Sequence, residues 1–251
     1  MALSSELQRL QPYIDRAKTF SGWDLGFIRS RSLDGPVPWD YEREAREMAA
    51  SATTALDVGT GGGEVYSRFA AGLRGQFVAC EQWGVNARVA HARLHAMGIP
   101  VVRSETGERR LPFRAGSFDL VLARHEAIHP REVARLLAPG GTFLTQQVIP
   151  DTWPELRDYF PRATVFPDHY HEYPQSFREM GFEVSVERFD YRVAFETLGD
   201  LVAMLLVAPW TIPDFDPEAD LEALLALEAG CGGNEGIVLR DGRYLLRAAA
   251  P

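Results

Sequence analysis

The residues best suited to hold a small ligand are Leu56-Asp57-Val58-Gly59-Thr60-Gly61-Gly62-Gly63-Glu64. An acid and a run of glycines stand where a short apolar strand passes into a helix. Glycines there let the backbone turn tightly and approach a ligand without Cβ clashes. The helix N-terminus adds unpaired N–H groups. In an open parallel sheet such a turn lies at the carboxyl ends of the strands, where ligands bind. A glycine-rich turn alone also fits a dinucleotide site or a plain tight turn. The dinucleotide pattern G-x-G-x-x-G, started at Gly59, requires glycine where Glu64 stands, and a carboxylate faces a pyrophosphate badly. A second acid, Glu81, ends the next strand 18 residues after Gly63. A carboxylate there can accept hydrogen bonds from both hydroxyls of a ribose; the alternative is a solvated strand-end charge.

Further chemistry lies in Arg124-His125-Glu126, after the apolar run Phe118–Ala123. Imidazole suits proton transfer near neutral pH, so His125 is the candidate base or acceptor-orienting group. The competing reading is a histidine that caps the next helix or bonds a backbone carbonyl. Glu126 could orient His125, but reads first as a plain first-turn helix acid, and His129 reads as a loop residue. Asp168-His169-Tyr170-His171-Glu172 is dense in polar rings. Histidines at i and i+2 can chelate a metal on a strand, but no further ligand cluster accompanies them, so no metal is expected. The segment reads as a substrate lid or a surface loop. Gln146 and Gln147 end another strand, and alternation turns one amide to the site. Trp23, Trp39, Tyr41, Trp153, Tyr170, Tyr173 and Trp210 lie outside the glycine-rich half. They are either ordinary packing or a cap that encloses a small acceptor and excludes water.

These residues need elements to position them. Leu7, Leu10, Ile14 and Ala17 have helical spacing over 5–19. A second helix is expected over 40–50, with Asp40 as N-cap. From Ala55 the chain alternates. Strands are expected at 55–58, 76–80, 100–103, 118–123 and 142–148, and helices at 64–73, 85–97 and 130–137. The last of these helices should stop at Pro139-Gly140-Gly141. Alternation of this kind means βαβ units and a doubly wound sheet. Beyond Pro150 a short helix is expected at 155–160 and another at 174–180. A long strand follows at 183–195, then helices at 198–207 and 217–228. A last strand should cover 243–247, after an Asp241-Gly242 turn. Residues 197–235 thus read as an insertion before the last strand.

The 251 residues are 46% hydrophobic and 24% charged, the balance of a core-forming globular chain. The formal charge of −9 argues against a nucleic-acid partner. Arg103, Arg109, Arg110 and Arg114 come nearest to a basic patch, but glutamates interrupt them, which reads as a solvated loop. Cys80 and Cys231 form no disulfide framework or metal cluster. No secretory leader and no apolar run of membrane-spanning length is evident, so no membrane partner and a cytoplasmic location are expected.

Four segments, LDVGTGGGE, VACEQWGVN, LPFRAGSFDLVLARHE and EVARLLAPGGTFLTQQV, follow one another over roughly residues 54–148. Together they resemble the ordered motif set of class I S-adenosylmethionine-dependent methyltransferases of the small-molecule type. The resemblance implies an α/β, Rossmann-like, doubly wound seven-stranded sheet, mostly parallel with its last strand antiparallel. N-terminal helices and a helical insertion before the last strand complete it. It also implies a single domain: residues 1–50 as a helical cap, 51–150 as the cofactor-binding core, and 151–251 as the substrate-side half. Asp57, Gly59, Thr60, Gly61 and Gly63 would lie beside the methionine part of S-adenosyl-L-methionine. Glu81 would hold the ribose, and Gln82 with Trp83 would flank the adenine. Glu105 or Thr106 would reach the adenine edge, in a loop that Gly107–Arg110 lengthen beyond the usual pattern. The Arg124 backbone would face the cofactor and His125 the acceptor. Enzymes that methylate base amines often carry an Asn/Asp-Pro-Pro-aromatic tetrad after this strand. Here Arg-His-Glu-Ala stands instead. The expectation is methyl transfer to an O or N atom of a small molecule. The alternatives are an RNA or protein methyltransferase and a non-catalytic cofactor-binding module. A nicotinamide-dependent oxidoreductase is disfavoured by Glu64.

Overall fold

A computed structural model describes residues 5–105 and 110–251. Helix α1 (Ser5–Lys18) buries Leu7, Leu10, Ile14 and Ala17, the stripe its spacing predicts. A short strand β1 (Ser30–Ser32) and helix α2 (Tyr41–Ser51) follow. The Asp40 carboxylate caps α2 by accepting from the Arg43 N–H. Strands and helices then alternate: β2 (Thr54–Val58), α3 (Glu64–Ala70), β3 (Gln76–Glu81), α4 (Gly84–Leu94), β4 (Val101–Arg103), β5 (Phe118–Arg124), α5 (Pro130–Leu136) and β6 (Leu137–Val148). The second half holds α6 (Leu156–Tyr159), α7 (His169–Glu179), β7 (Glu183–Phe195), α8 (Leu198–Val207), α9 (Leu221–Cys231), β8 (Gly232–Gly233) and β9 (Gly236–Ala249).

Among the described residues nine strands form one sheet, in the order β1-β7-β9-β6-β5-β2-β3-β4, with β8 on β9. Strands β2 to β6 pair in parallel, and β9 enters antiparallel between β6 and β7. The seven-stranded doubly wound sheet implied by the motifs is therefore present, with two short edge pieces added. The chain order reverses beside β2, whose neighbours are β3 and β5. The crevice at their carboxyl ends is where such a sheet binds ligands.

Several elements depart from the sequence expectations. Pro139-Gly140-Gly141 does not end a helix; it lies inside β6, opposite a register shift between Phe118 and Leu120. Asp241-Gly242 is not a turn, because β9 runs straight through it and pairs these residues with Tyr191 and Asp190. The Asp241 carboxylate instead accepts from the Gly242 N–H at 2.7 Å and the Tyr191 hydroxyl at 3.1 Å. Helix α7 begins five residues before Pro174, since Asp168 caps it through the His171 N–H. The polar ring cluster is thus the first turn of a helix. Helix α9 begins at Leu221 rather than at 217, because Asp216 folds the Glu218 and Ala219 N–H groups into a turn at 2.9 Å each.

Helices α1 and α8 pack together over one end of the sheet, sharing a core that includes Leu10, Leu201, Val202 and Leu224. Gly199 permits the contact, since a Cβ there would fall 2.3 Å from the Tyr13 ring. The fully buried Asp200 binds the segment after α1, accepting from the Arg29 N–H at 3.0 Å and its guanidinium at 3.1 Å. The residues just beyond these two helices, Trp23 and Trp210, meet with ring centroids 5.8 Å apart. No helix among the described residues is long and apolar enough to cross a membrane.

Candidate active site

A cavity opens at the carboxyl ends of β2, β3 and β5. Asp57, Gly59, Thr60, Gly61, Glu81, Gln82, Arg124 and His125 all line it. Gly63 does not. Its left-handed φ of 75° starts α3, and its Cα faces Leu94 so closely that a Cβ would come within 3.0 Å of that side chain. Glu105 is exposed and is not part of the wall. Thr106 lies outside the described residues.

Gly59 and Gly61 both have left-handed φ, 70° and 61°, which a side chain rarely adopts. The Glu126 side chain fills the space a Cβ at Gly59 would need, at 2.3 Å from its Cγ. Trp23 covers Gly61 in the same way, at 3.1 Å from its Cβ. Glu64 folds back over the loop, accepting from the Trp23 N–H at 3.2 Å and pairing with Arg93 at 2.7 Å. The acid that argued against a dinucleotide thus has its own role: it ties the cap to the glycine loop.

Glu81 is buried, and its two oxygens each accept one backbone N–H, from Gly61 and from Trp83, both at 2.8 Å. Burial raises its pKa, and these backbone hydrogen bonds hold it back. Asp57 is buried beneath the loop. Desolvation pushes its pKa up to about 7, and the nearby Glu81 charge adds to the rise. Gln82 reaches Glu126 at 3.5 Å.

His125 stands at the end of β5 with a φ of 57°, an uncommon conformation for a residue with a side chain. Its N–H donates to the Gln146 carbonyl at 2.8 Å. Its ring Nε2 lies 3.1 Å from Gln146 Nε2. The Gln146 Oε1 already accepts from the Trp39 indole N–H at 2.7 Å, and an indole can only donate. The amide therefore presents its NH₂ to His125, so Nε2 carries the lone pair and Nδ1 the proton. Burial, then the charges of Arg243 and Arg124, hold this imidazole well below the usual range. It is neutral at pH 7, with its proton on a defined nitrogen. It neither caps α5 nor bonds a carbonyl through its ring.

A second cavity adjoins the first. Gln82, Trp83, His125, Glu126 and Trp210 line both. Ile149, Pro150, Phe166 and Pro167 give it apolar walls, and Gln147, Tyr244 and His169 add polar groups. Gln147 spends its NH₂ on the Glu126 carbonyl at 2.7 Å and on Thr145 Oγ1 at 2.8 Å. Trp83 and Trp210 meet edge to face at 6.3 Å over the shared mouth. Of the aromatic residues singled out by sequence, Trp23, Tyr41 and Trp210 reach the first cavity. Trp39 acts behind it, and Trp153, Tyr170 and Tyr173 pack against the sheet. His169 and His171 each turn Nδ1 to an acid of their own turn, and no group of three candidate metal ligands occurs among the described residues.

Sequence reading missed Glu126 as part of the site. Glu126 was expected in a first helical turn, but α5 begins four residues later, at Pro130. The residue lies in the linker, across the cavity from β3. Only the glycine at position 59 hinted that some side chain would need that space.

Residues 56–145 match the methyltransferase domain family. That segment carries a methyltransferase domain, which supports an S-adenosylmethionine-dependent methyltransferase of class I with S-adenosyl-L-methionine as its cofactor. The same fold recurs at low identity in solved structures. A functionally unknown protein from Deinococcus radiodurans R1 is 18% identical, with 95% of this chain and 98% of that one aligned and a TM-score of 0.61. A candidate methyltransferase from Bacillus halodurans C-125 is 18% identical over 84% of this chain and 97% of that one, with a TM-score of 0.60. The cyclase SpnF is 16% identical over 96% and 92%, with a TM-score of 0.54. No curated protein matches the chain. At these identities the likeness concerns the fold, and a fold hosts many reactions.

The cavity fits the methyl donor on its own chemistry. The donor bears a sulfonium and an ammonium, and the wall holds Asp57, Glu81 and Glu126. The glycine loop supplies a surface without side chains, and the Glu81 carboxylate can accept a ribose hydroxyl besides its backbone N–H groups.

Proposed function

We propose that this methyltransferase acts on an oxygen or nitrogen of a small molecule held in the second cavity, with His125 beside the reacting atom. The observation that carries the reading is the junction: two cavities meet at His125 and Glu126, under a roof of Trp83 and Trp210. A roofed cavity encloses a small acceptor and excludes water, whereas a polymer needs an open groove.

When bound, the cofactor supplies an electrophilic methyl group. The chain supplies position. Asp57, Gly59, Thr60 and Gly61 hold the amino-acid end, Glu81 the ribose, and Gln82 with Trp83 the adenine. His125 offers Nδ1–H as a donor, because Gln146 occupies Nε2. Its role is to orient an acceptor atom, not to remove a proton. The proton released from a hydroxyl or amine has the Glu126 carboxylate at the same junction to receive it. In this reading the whole chain works as one unit, since the turn after β3 and the 197–235 insertion carry the roof, with Trp23 after α1 packed against Trp210.

The test is label transfer from methyl-tritiated S-adenosylmethionine to three separate pools: small-molecule extract, tRNA and peptides. Label should enter the small-molecule pool alone. Label fixed in RNA or peptide at comparable rates would overturn the reading. So would the absence of S-adenosylhomocysteine binding by calorimetry.

A further inference from the structure

Arg124 is the one arginine or lysine among the described residues that line the cofactor cavity. Its position is unusual in physical terms. The Nε atom is buried without a hydrogen-bond partner. The guanidinium lies 5.8 Å from the centre of the Tyr41 ring, a weak contact for a partly buried cation. Burial lowers its pKa from the usual arginine value. Several nearby acids have other partners: Glu42, which acts on Arg124, pairs with Arg68. Glu64 pairs with Arg93, and Glu81 accepts two backbone N–H groups. Asp57 is itself held toward its neutral form by burial.

A partly buried guanidinium whose Nε is buried without a partner is costly, and the cost is relieved by an anion with matching geometry. Arginine is suited to receive a carboxylate through two parallel N–H bonds. The rest of the cavity is acidic, so an anion can enter only as part of a ligand whose other charges are positive. The amino-acid end of the methyl donor has that pattern: one carboxylate beside an ammonium and a sulfonium. We infer that the Arg124 side chain receives the methionyl carboxylate of S-adenosylmethionine, a role beyond the backbone contact that the family motifs imply at this position. The inference rests on the reading of this cavity as the donor site.

The experiment compares S-adenosylmethionine with decarboxylated S-adenosylmethionine, which keeps both positive charges and lacks only the carboxylate. Calorimetry on wild type, Arg124→Gln and Arg124→Lys gives six affinities. Wild type should prefer the full donor by roughly tenfold or more, the scale of a charge-assisted bidentate pair. In Arg124→Gln the preference should fall to about threefold or less, mainly because the full donor weakens. Retained affinity for the decarboxylated donor reports that the variant is folded. Arg124→Lys should fall between the two, since it keeps the charge and loses the fork. A wild-type preference near one overturns the assignment without any variant, as does a preference that survives Arg124→Gln. If wild type binds neither compound, the reading of the cavity as the donor site fails with it. If both bind equally well, that reading stands and only the role of Arg124 falls.

Discussion

The two cavities share one junction but are built in different ways. The cofactor cavity comes largely from three neighbouring strand ends: Asp57 to Gly61 after β2, Glu81 to Trp83 after β3, and Arg124 to Glu126 after β5. Backbone hydrogen bonds within one parallel sheet fix their separation. The second cavity draws on Gln147 at the end of β6, Tyr244 on β9, the approach to α7 and Trp210 after α8. Its shape depends on how side chains of distant segments pack. The first region should therefore respond to substitution as a set of defined contacts. The second should respond gradually, through the fit of its walls.

The largest expected effect lies at the junction. His125→Ala should leave S-adenosylhomocysteine affinity within about twofold and slow methyl transfer roughly a hundredfold, the scale of a misplaced acceptor. Equal losses in binding and transfer would mean that the junction belongs to the cofactor side alone. The pH profile sharpens the point. The imidazole is held well below its usual range and Nε2 is occupied, so the rate should show no limb near pH 6.5 that vanishes in the variant. Such a limb would restore His125 as a base.

Glu81→Ala should come next. It removes a buried acceptor of two backbone N–H groups together with the proposed ribose contact. Cofactor affinity should drop by about 1–3 kcal/mol in calorimetry. At saturating cofactor the acceptor KM should hold. A shift confined to the acceptor would place Glu81 in the wrong cavity.

This contrast also explains what was legible in the sequence. The run from Asp57 to Gly61, and Glu81, could be read because strand ends in a parallel sheet place consecutive residues predictably. Gly63 looked like part of the same surface, yet its freedom serves the packing of Leu94. Glu126 was hidden because only the late start of α5 leaves it free to cross to Gly59. The hydrogen-bond chain from Trp39 through Gln146 to His125 spans residues 107 and 21 positions apart. Periodicity marks such residues as buried or polar but cannot pair them. Likewise β1 and β8 consist of Ser-Arg-Ser and Gly-Gly, which carry no strand pattern and are strands only because longer neighbours pair with them.

A smaller effect should appear in the pH dependence of cofactor binding. Asp57 has a folded pKa of about 7, above the 3.8 of a free aspartate side chain. Between those values the folded protein holds a proton that the unfolded chain has lost, so stability falls as pH rises through that window. A cationic ligand favours the ionised form, so its binding should tighten from pH 6 to 8, by less than tenfold per unit for one proton. Asp57→Asn should flatten the slope in calorimetry. A slope unchanged in Asp57→Asn would assign it to another group.

The smallest effects test whether the two walls are separable at all. Trp23 lines only the cofactor cavity, Phe166 only the second, and Trp210 both. Trp210 is 47% exposed and touches Trp23 and Trp83, so it gives up little buried surface when truncated. An aromatic contact of this kind is worth about 0.5–1.5 kcal/mol. Trp23→Ala should therefore raise the cofactor Kd a few fold and leave the acceptor KM in place. Phe166→Ala should do the reverse. Trp210→Ala should shift both, each by less than the variant dedicated to that cavity. If Trp23→Ala and Phe166→Ala instead move both constants together, the roof acts as one body carried by α1 and α8. The division into two independently built walls would then hold for the strand ends but not for what covers them.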